Sequence, residues 1–173
     1  MTPHDKAALR AEARALRKRL AGLDPEAASR AADHVGALPP GDPVAVYRAI
    51  GSELDMGALS LALTRQGRTL CLPVVTALDA PMVFRLWTPG EPLELDQAGV
   101  PAPLPLAEAV TPELILAPLL AFDARGGRLG QGGGYYDRTF AALPDVVRVG
   151  FAYAGQEVQI CRSKCTISVC MAF

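Results

Sequence analysis

Short apolar runs bounded by glycine, proline and acidic residues recur along the chain, alternating with stretches of helical periodicity. Within residues 3–20, Ala7, Ala8, Leu9, Ala11, Ala15, Leu16 and Leu20 share one broad face. Lys6, Arg10, Arg14, Arg17, Lys18 and Arg19 surround it, which predicts an amphipathic helix. Asp24-Pro25-Glu26 predicts a second helix running to about residue 36, with Asp24 as N-cap and Pro25 in the first turn. Residues 44–47 read as a short buried strand, followed by a helix over 56–66. Residues 69–75 and 82–87 read as two more strands, the latter with polar–apolar alternation. The proline-rich stretch 88–112 has little periodicity and predicts a long surface excursion. Residues 114–120 are a fourth strand, 136–143 a short helix and 146–153 a fifth strand. The apolar residues 166–173 are able to pair as one more. Strands alternating with helices predict an α/β fold with a mostly parallel sheet, in a single domain.

The most informative stretch lies between the fourth strand and the helix after it, where Phe122-Asp123 opens a basic, glycine-rich loop. Glycines let backbone N–H groups approach a ligand closely, and a helix N-terminus adds unpaired donors and partial positive charge. A strand that passes through glycines into a helix is therefore a phosphate-binding arrangement. Two common forms are excluded. No glycine precedes a Lys-Ser or Lys-Thr pair, so there is no P-loop. Gly130 and Gly132 begin a G-x-G-x-x-G, but Tyr135 occupies its last position.

Composition narrows the rest. The chain has 173 residues, half of them hydrophobic, which is ample for a core and unlike a disordered chain. Seventeen Lys and Arg against 18 Asp and Glu leave a net charge of −1, so there is no global basic footprint for nucleic acid. No apolar run approaches the ~20 residues of a membrane span, and residues 1–20 lack the apolar centre of a signal peptide. A cytoplasmic protein is expected. Cys71, Cys161, Cys165 and Cys170 form no C-x-x-C pair and read as incidental thiols. Glu53, in Gly51-Ser52-Glu53-Leu54-Asp55, lies just after a strand, where α/β sheets gather ligands; capping of the next helix by Ser52, Glu53 or Asp55 is an equal reading. Trp87, the one tryptophan, reads as packing or as a stacking surface for a flat ring.

Phe122-Asp123 followed by Gly127-Arg128-Leu129-Gly130-Gln131-Gly132-Gly133-Gly134-Tyr135-Tyr136-Asp137-Arg138 resembles the signature of the 5-formyltetrahydrofolate cyclo-ligase family, also called 5,10-methenyltetrahydrofolate synthetases. Lys6-Ala7-Ala8-Leu9-Arg10, Gly51 to Asp55, Cys71-Leu72-Pro73-Val74, Met82 to Trp87 and Gln156-Glu157-Val158 extend the resemblance in order over residues 3–158. It implies a three-layer α/β/α fold, similar to the sugar-phosphate isomerase and CoA-transferase-like architecture. It also implies ATP-dependent closure of 5-formyltetrahydrofolate to 5,10-methenyltetrahydrofolate, with Mg²⁺ as cofactor and a monomeric enzyme. Lys6, Arg10, Arg128, Leu129, Gly130, Gln131, Gly132, Gly133, Gly134, Tyr135 and Tyr136 would hold ATP, Lys6 and Arg128 would serve catalysis, and Asp137 would ligate the metal. Glu53, Arg48 and Trp87 would meet the folate.

The chain departs from that pattern in three places. Gly133 stands where the family often has lysine, and Ala102 where it often has glutamate. After Val158 the family's Leu-Pro segment, His-Asp and second aspartate are missing; the chain reads QICRSKCTISVCMAF. Residues 1–158 thus read as one cyclo-ligase-like domain and 159–173 as an atypical, replaced tail. An impaired folate- or nucleotide-binding homologue stays open as the alternative function. A sugar-phosphate isomerase or acyl-CoA transferase relative would rest on fold analogy alone.

Overall fold

Strands covered on both faces need apolar residues at successive positions rather than at alternate ones, and four runs in this chain meet that demand. The computed structural model describes residues 3–159, 167 and 169–172. The chain runs through α1 (Pro3–Leu23), α2 (Ala27–Asp33), β1 (Val44–Ala45), α3 (Gly57–Arg65), β2 (Leu70–Val74), β3 (Val83–Leu86) and β4 (Leu93–Leu95). It continues through β5 (Pro101–Pro103), β6 (Ala109–Val110), β7 (Leu114–Pro118), β8 (Ala121–Phe122) and β9 (Arg128–Leu129). It ends with α4 (Tyr135–Ala142), β10 (Val147–Ala152) and β11 (Val169–Ala172).

The main sheet has the order β11-β10-β7-β1-β2-β3-β6. β11, β10, β7, β1 and β2 run parallel, and β3 and β6 close one edge antiparallel. Alternate residues feed two cores. Val44, Leu70, Leu72, Leu114, Leu116, Val149 and Phe151 pack beneath α2 and α3 through Ala27, Ala31, Leu59 and Leu63. Ala45, Cys71, Ile115, Ala117 and Phe84 pack on the other face with Phe140 of α4. The architecture is therefore three-layered and mostly parallel, as the sequence implied. The physical cause is the direction of travel: β1 leads to β2 one way and β7 to β10 the other, so right-handed crossovers put α3 and α4 on opposite faces. The strand order reverses between β1 and β7, and a crevice opens there beyond the carboxyl ends of both.

Several sequence expectations need correction. Asp24 is not itself the N-cap residue: α2 begins at Ala27, directly after Glu26. Asp24 is ion-paired with Arg30, whose guanidinium holds the Asp24 carboxyl below its ordinary range, with the amides of Glu26 and Ala27 at the helix start adding to the shift. Helix α2 stops at Asp33, and a 3-10 turn spans Val35–Ala37. Residues 88–112 are not structureless. They hold β6 and the β4–β5 hairpin, whose turn is organised by Asp96. One Asp96 oxygen accepts from the amides of Ala98 and Val100 at 2.9 and 3.0 Å, and the other from Val75 N at 2.9 Å. Proline masked this order, because β5 pairs residue by residue despite Pro101 and Pro103.

The tail joins the sheet at one edge. β11 pairs in parallel with β10, Val149 opposite Val169 through Ala152 opposite Ala172. Ile167 is buried with Leu119, Phe122 and Ala152, and its amide donates to Gly126 O at 2.9 Å. Cys161 and Cys165 lie outside the described residues. Among the described residues, no helix is long and apolar enough to cross a membrane.

Candidate active site

The crevice at the carboxyl ends of β1, β2 and β7 is a cavity of about 530 Å³. Most of it is built by Arg10 of α1, the β1–α3 connection, the chain at and after the end of β2, the β4–β5 turn and the loop from β9 into α4.

The last of these begins with the small β8–β9 hairpin, which the sequence pattern did not reveal. Asp123 directs its turn: one carboxylate oxygen accepts from Arg125 N at 2.9 Å and from Gly127 N at 2.8 Å. The chain then crosses residues 130–134, and Gly134, at φ 72°, is the N-cap of α4. Among the described residues, the amides of residues 131–134 make no backbone hydrogen bond, so they are available to an anion. Arg138 ties the loop down. Its guanidinium donates to Gly133 O at 3.0 Å and, across the cavity edge, to Leu78 O at 2.8 Å and Ala80 O at 3.1 Å.

Arg128 is buried to 5 % exposure at the cavity wall. It is ion-paired with Asp137 and lies 5.2 Å from the Phe140 ring centre and 5.9 Å from that of Tyr136. Its Nε has no hydrogen-bond partner among the described residues. Asp137 sits in the first turn of α4 with a half-exposed side chain facing the same cavity. Burial pushes the Tyr136 phenol up, Glu53 adds to that and Arg128 opposes it, so at neutral pH Tyr136 is a neutral donor. Tyr47 shifts the same way from burial and the nearby Glu53, and donates to Leu54 O at 2.8 Å.

Glu53 occupies the opposite wall, 8 % exposed. One oxygen accepts from Ile50 N at 2.9 Å; the other accepts from Arg17 Nη1 at 3.4 Å and Gln131 Nε2 at 3.2 Å. At the start of α3, Asp55 accepts from Gly57 N at 2.7 Å, and Glu53 faces the cavity instead.

Helix α1 contributes more than its pattern showed. Arg10, Arg14 and Arg17 lie on one side of it, at i, i+4 and i+7. Arg10 donates to Gly130 O at 3.1 Å, and Arg14 to Gln131 Oε1 and O, both at 3.0 Å. Arg17 donates to Ser52 Oγ at 3.2 Å and Leu119 O at 3.3 Å as well as to Glu53. Arg14 and Arg17 had looked like solvated charges; their spacing from Arg10 was the available signal.

Of the residues singled out from sequence, Arg10, Arg48, Glu53, Arg128, Gly130, Gln131, Gly132, Gly133, Gly134, Tyr135, Tyr136 and Asp137 line the cavity. Three do not. Trp87 is 7 % exposed in the core cluster that includes Leu70 and Leu72, so its ring is occupied by packing, and Arg48, which does line the cavity, lies 5.9 Å from its centre. Leu129 faces away within β9, where its carbonyl accepts from Leu120 N. Lys6 lies one turn before Arg10 on α1, outside the lining. Pro118, Asp96, Ala98 and Val100 are among the other lining residues, and only chain topology brings them there.

No group of three His, Cys, Asp or Glu gathers among the described residues, so a zinc-type centre does not arise. A magnesium ion asks less of the protein: one carboxylate, with nucleotide oxygens and water for the rest. Asp137, half-exposed beside the glycine loop, fits that role.

The chain is similar to several known proteins. A 5-formyltetrahydrofolate cyclo-ligase of Haemophilus influenzae is 32 % identical over 123 residues, 67 % of this chain and 66 % of that one, so the match spans just under two thirds of the relative. The Escherichia coli K12 protein of the same name is 33 % identical over 139 residues, covering 72 % and 75 %. The NMR structure of Aquifex aeolicus 5,10-methenyltetrahydrofolate synthetase superposes with a TM-score of 0.75 at 28 % identity, covering 94 % of this chain and 85 % of that one. The sequence model of the 5-formyltetrahydrofolate cyclo-ligase family matches residues 2–162, and the chain belongs to that family.

Proposed function

We propose that this protein closes 5-formyltetrahydrofolate to 5,10-methenyltetrahydrofolate with ATP and Mg²⁺, releasing ADP and phosphate. The observation that carries the reading is one cavity holding two kinds of recognition. Unbonded glycine amides with Arg10 and Arg128 face the phosphate side, and the buried carboxylate of Glu53 faces the other.

The chemistry needs positioning more than proton transfer. The formyl oxygen attacks the γ-phosphorus, the bond to ADP breaks, and a phosphorylated formyl intermediate forms. N10 then attacks the activated carbon, loses its proton, and phosphate departs with the former formyl oxygen. Phosphate is a far better leaving group than the formyl oxygen it replaces. Arg128, desolvated and backed by two aromatic rings, offers a fixed cation where charge gathers on the transferring phosphoryl group. The glycine amides orient its oxygens. Glu53 accepts hydrogen bonds from the amino-pyrimidine edge of the pterin, and Arg48 stands exposed at the rim beside it. Bound through Asp137, Mg²⁺ supplies charge neutralisation of the phosphates. The reading takes the protein as a cytoplasmic monomer.

A second reading, binding without turnover, rests on one observation: residues 159–173 contain no Asp or Glu, so the tail offers no second carboxylate to a metal. One experiment separates the two. Protein, 5-formyltetrahydrofolate, ATP and Mg²⁺ are mixed and methenyl absorbance is followed. ATP-dependent product supports the ligase; ligand-induced thermal stabilisation without product supports the binder; neither response removes both. Glu53→Ala should weaken folate binding far more than ATP binding, and equal weakening would remove Glu53 from the folate role.

A further inference from the structure

Gln131 belongs to the glycine loop, yet its side chain reaches away from the loop to the carboxylate on the opposite wall. Its amide is oriented by charge. Arg14 donates to Gln131 Oε1 at 3.0 Å and, with its second nitrogen, to Gln131 O at 3.0 Å. A guanidinium has only donors, so Oε1 must face Arg14 and Nε2 must face Glu53 Oε1, 3.2 Å away. Arg17 donates to that same oxygen from the buried side at 3.4 Å. Arg14-Gln131-Glu53-Arg17 is thus a closed strut from α1 through the glycine loop to the β1–α3 connection and back to α1. The next turn of α1 is joined to the loop as well, through Arg10 and Gly130 O.

We infer that Gln131 is a positioning residue that couples the two halves of the site: occupation of the glycine loop by nucleotide sets the orientation of Glu53, and Arg14 sets the orientation of Gln131. This rests on the folate role proposed for Glu53. Each element of the strut has a physical consequence. A nucleotide phosphate that orders residues 130–134 also orders Gln131, and the Glu53 carboxylate is then held on both sides before the pterin arrives. The ordering cost is met once and shared by both ligands, which is positive coupling, and by linkage it is reciprocal. A strut of this kind sits outside the phosphoryl-transfer chemistry, so its loss acts on affinity for the second ligand more than on the rate at saturation.

The test is binding of 5-formyltetrahydrofolate by calorimetry, with and without a saturating non-hydrolysable β,γ-imido ATP analogue and Mg²⁺. The wild-type protein should bind folate about fivefold or more tightly with the analogue present. Gln131→Leu should reduce that ratio to near one, with KM for folate raised and kcat at saturation changed far less. Arg14→Met, an exposed position outside the cavity lining, should reduce the ratio in the same direction without touching Glu53 directly. Gln131→Glu should be worse than Gln131→Leu, because it sets a second carboxylate against Glu53. A ratio in Gln131→Leu equal to that of wild type overturns the inference, as does a wild-type ratio of one. Folate binding without coupling overturns this inference alone; absence of folate binding in the wild type overturns the folate reading with it.

Discussion

The buried guanidinium of Arg128 and the half-exposed carboxylate of Asp137 form an ion pair at the cavity wall, nine residues apart along the chain and on opposite sides of the glycine loop. The pair joins the residue suited to phosphate with the residue suited to metal. Under the proposed function, Mg²⁺ and phosphate would each give one partner an opposite charge of its own. Asp137→Ala should therefore abolish Mg²⁺-dependent turnover and also leave Arg128 without its counter-charge. Asp137 is half-exposed but Arg128 is buried, so leaving that guanidinium unpaired should cost about 2–3 kcal/mol, a fall of several degrees in Tm. The methenyl absorbance assay and a thermal melt check both halves. Turnover near the wild-type rate would take Asp137 out of the metal role.

Trp87 provides a contrast. Its ring packs in the core with Leu70 and Leu72, and it does not line the cavity. Trp87→Phe should leave KM for 5-formyltetrahydrofolate unchanged while costing about 1–2 kcal/mol of stability through lost packing. A urea titration and steady-state kinetics report the two effects separately. A KM shift with unchanged stability would return Trp87 to the binding site.

The tail is docked at a glycine. Gly126 has φ +79°, and a Cβ there would lie 2.5 Å from Ile167 O. Gly126→Ala should strain the hairpin and push Ile167 out of its contact with Leu119 and Phe122, costing about 2 kcal/mol or more. Ile167→Ala should lower stability by a similar amount through the cavity it leaves. If both variants melt like the wild type, the tail contributes nothing to the fold.

Alkaline pH should destabilise the protein. Burial raises the Cys71 thiol from its ordinary 9.0 to about 12, and raises the Tyr47 and Tyr136 phenols above their ordinary 10.0. All three are neutral when protonated, and the folded state holds those protons more tightly. Their contribution is full below about pH 9, where folded and unfolded chains bind the same protons. Above it the unfolded chain deprotonates first, so stability falls as pH climbs towards the folded values. Thermal melts from pH 8 to 11 should show a progressive drop in Tm that begins near pH 9. Cys71→Ala, though less stable overall, should soften that onset. A Tm that stays level across the range would contradict the assignment.

Local pattern carried the elements whose burial is dictated by their own residues. The run LILAP had to be a buried strand, because five successive residues with no charge offer no wet face, and Leu114, Leu116, Ile115 and Ala117 are all buried. The place of the glycine loop was legible because glycines between a strand and a helix mark a backbone turn, and residues 130–134 do line the cavity. The place of Glu53 at the cavity was legible by position, since it falls in the connection that leaves the carboxyl end of β1.

Sequence alone therefore settled the α/β class and the mostly parallel sheet, and it pointed to the glycine loop that lines the cavity. Other features depend on residues far apart in the chain, and only the fold decides which of them meet. Asp96 reaches Val75 because β4 and β5 fold back over the end of β2. Trp87 is buried in the core cluster that also holds Leu70 and Leu72 of the neighbouring strand, a fact no reading of its own neighbours contains. Arg14 and Arg17 looked solvated because 117 and 36 residues separate them from Gln131 and Glu53. Their charges acquire meaning only when the strand order, reversing between β1 and β7, sets α1 against both loops at once.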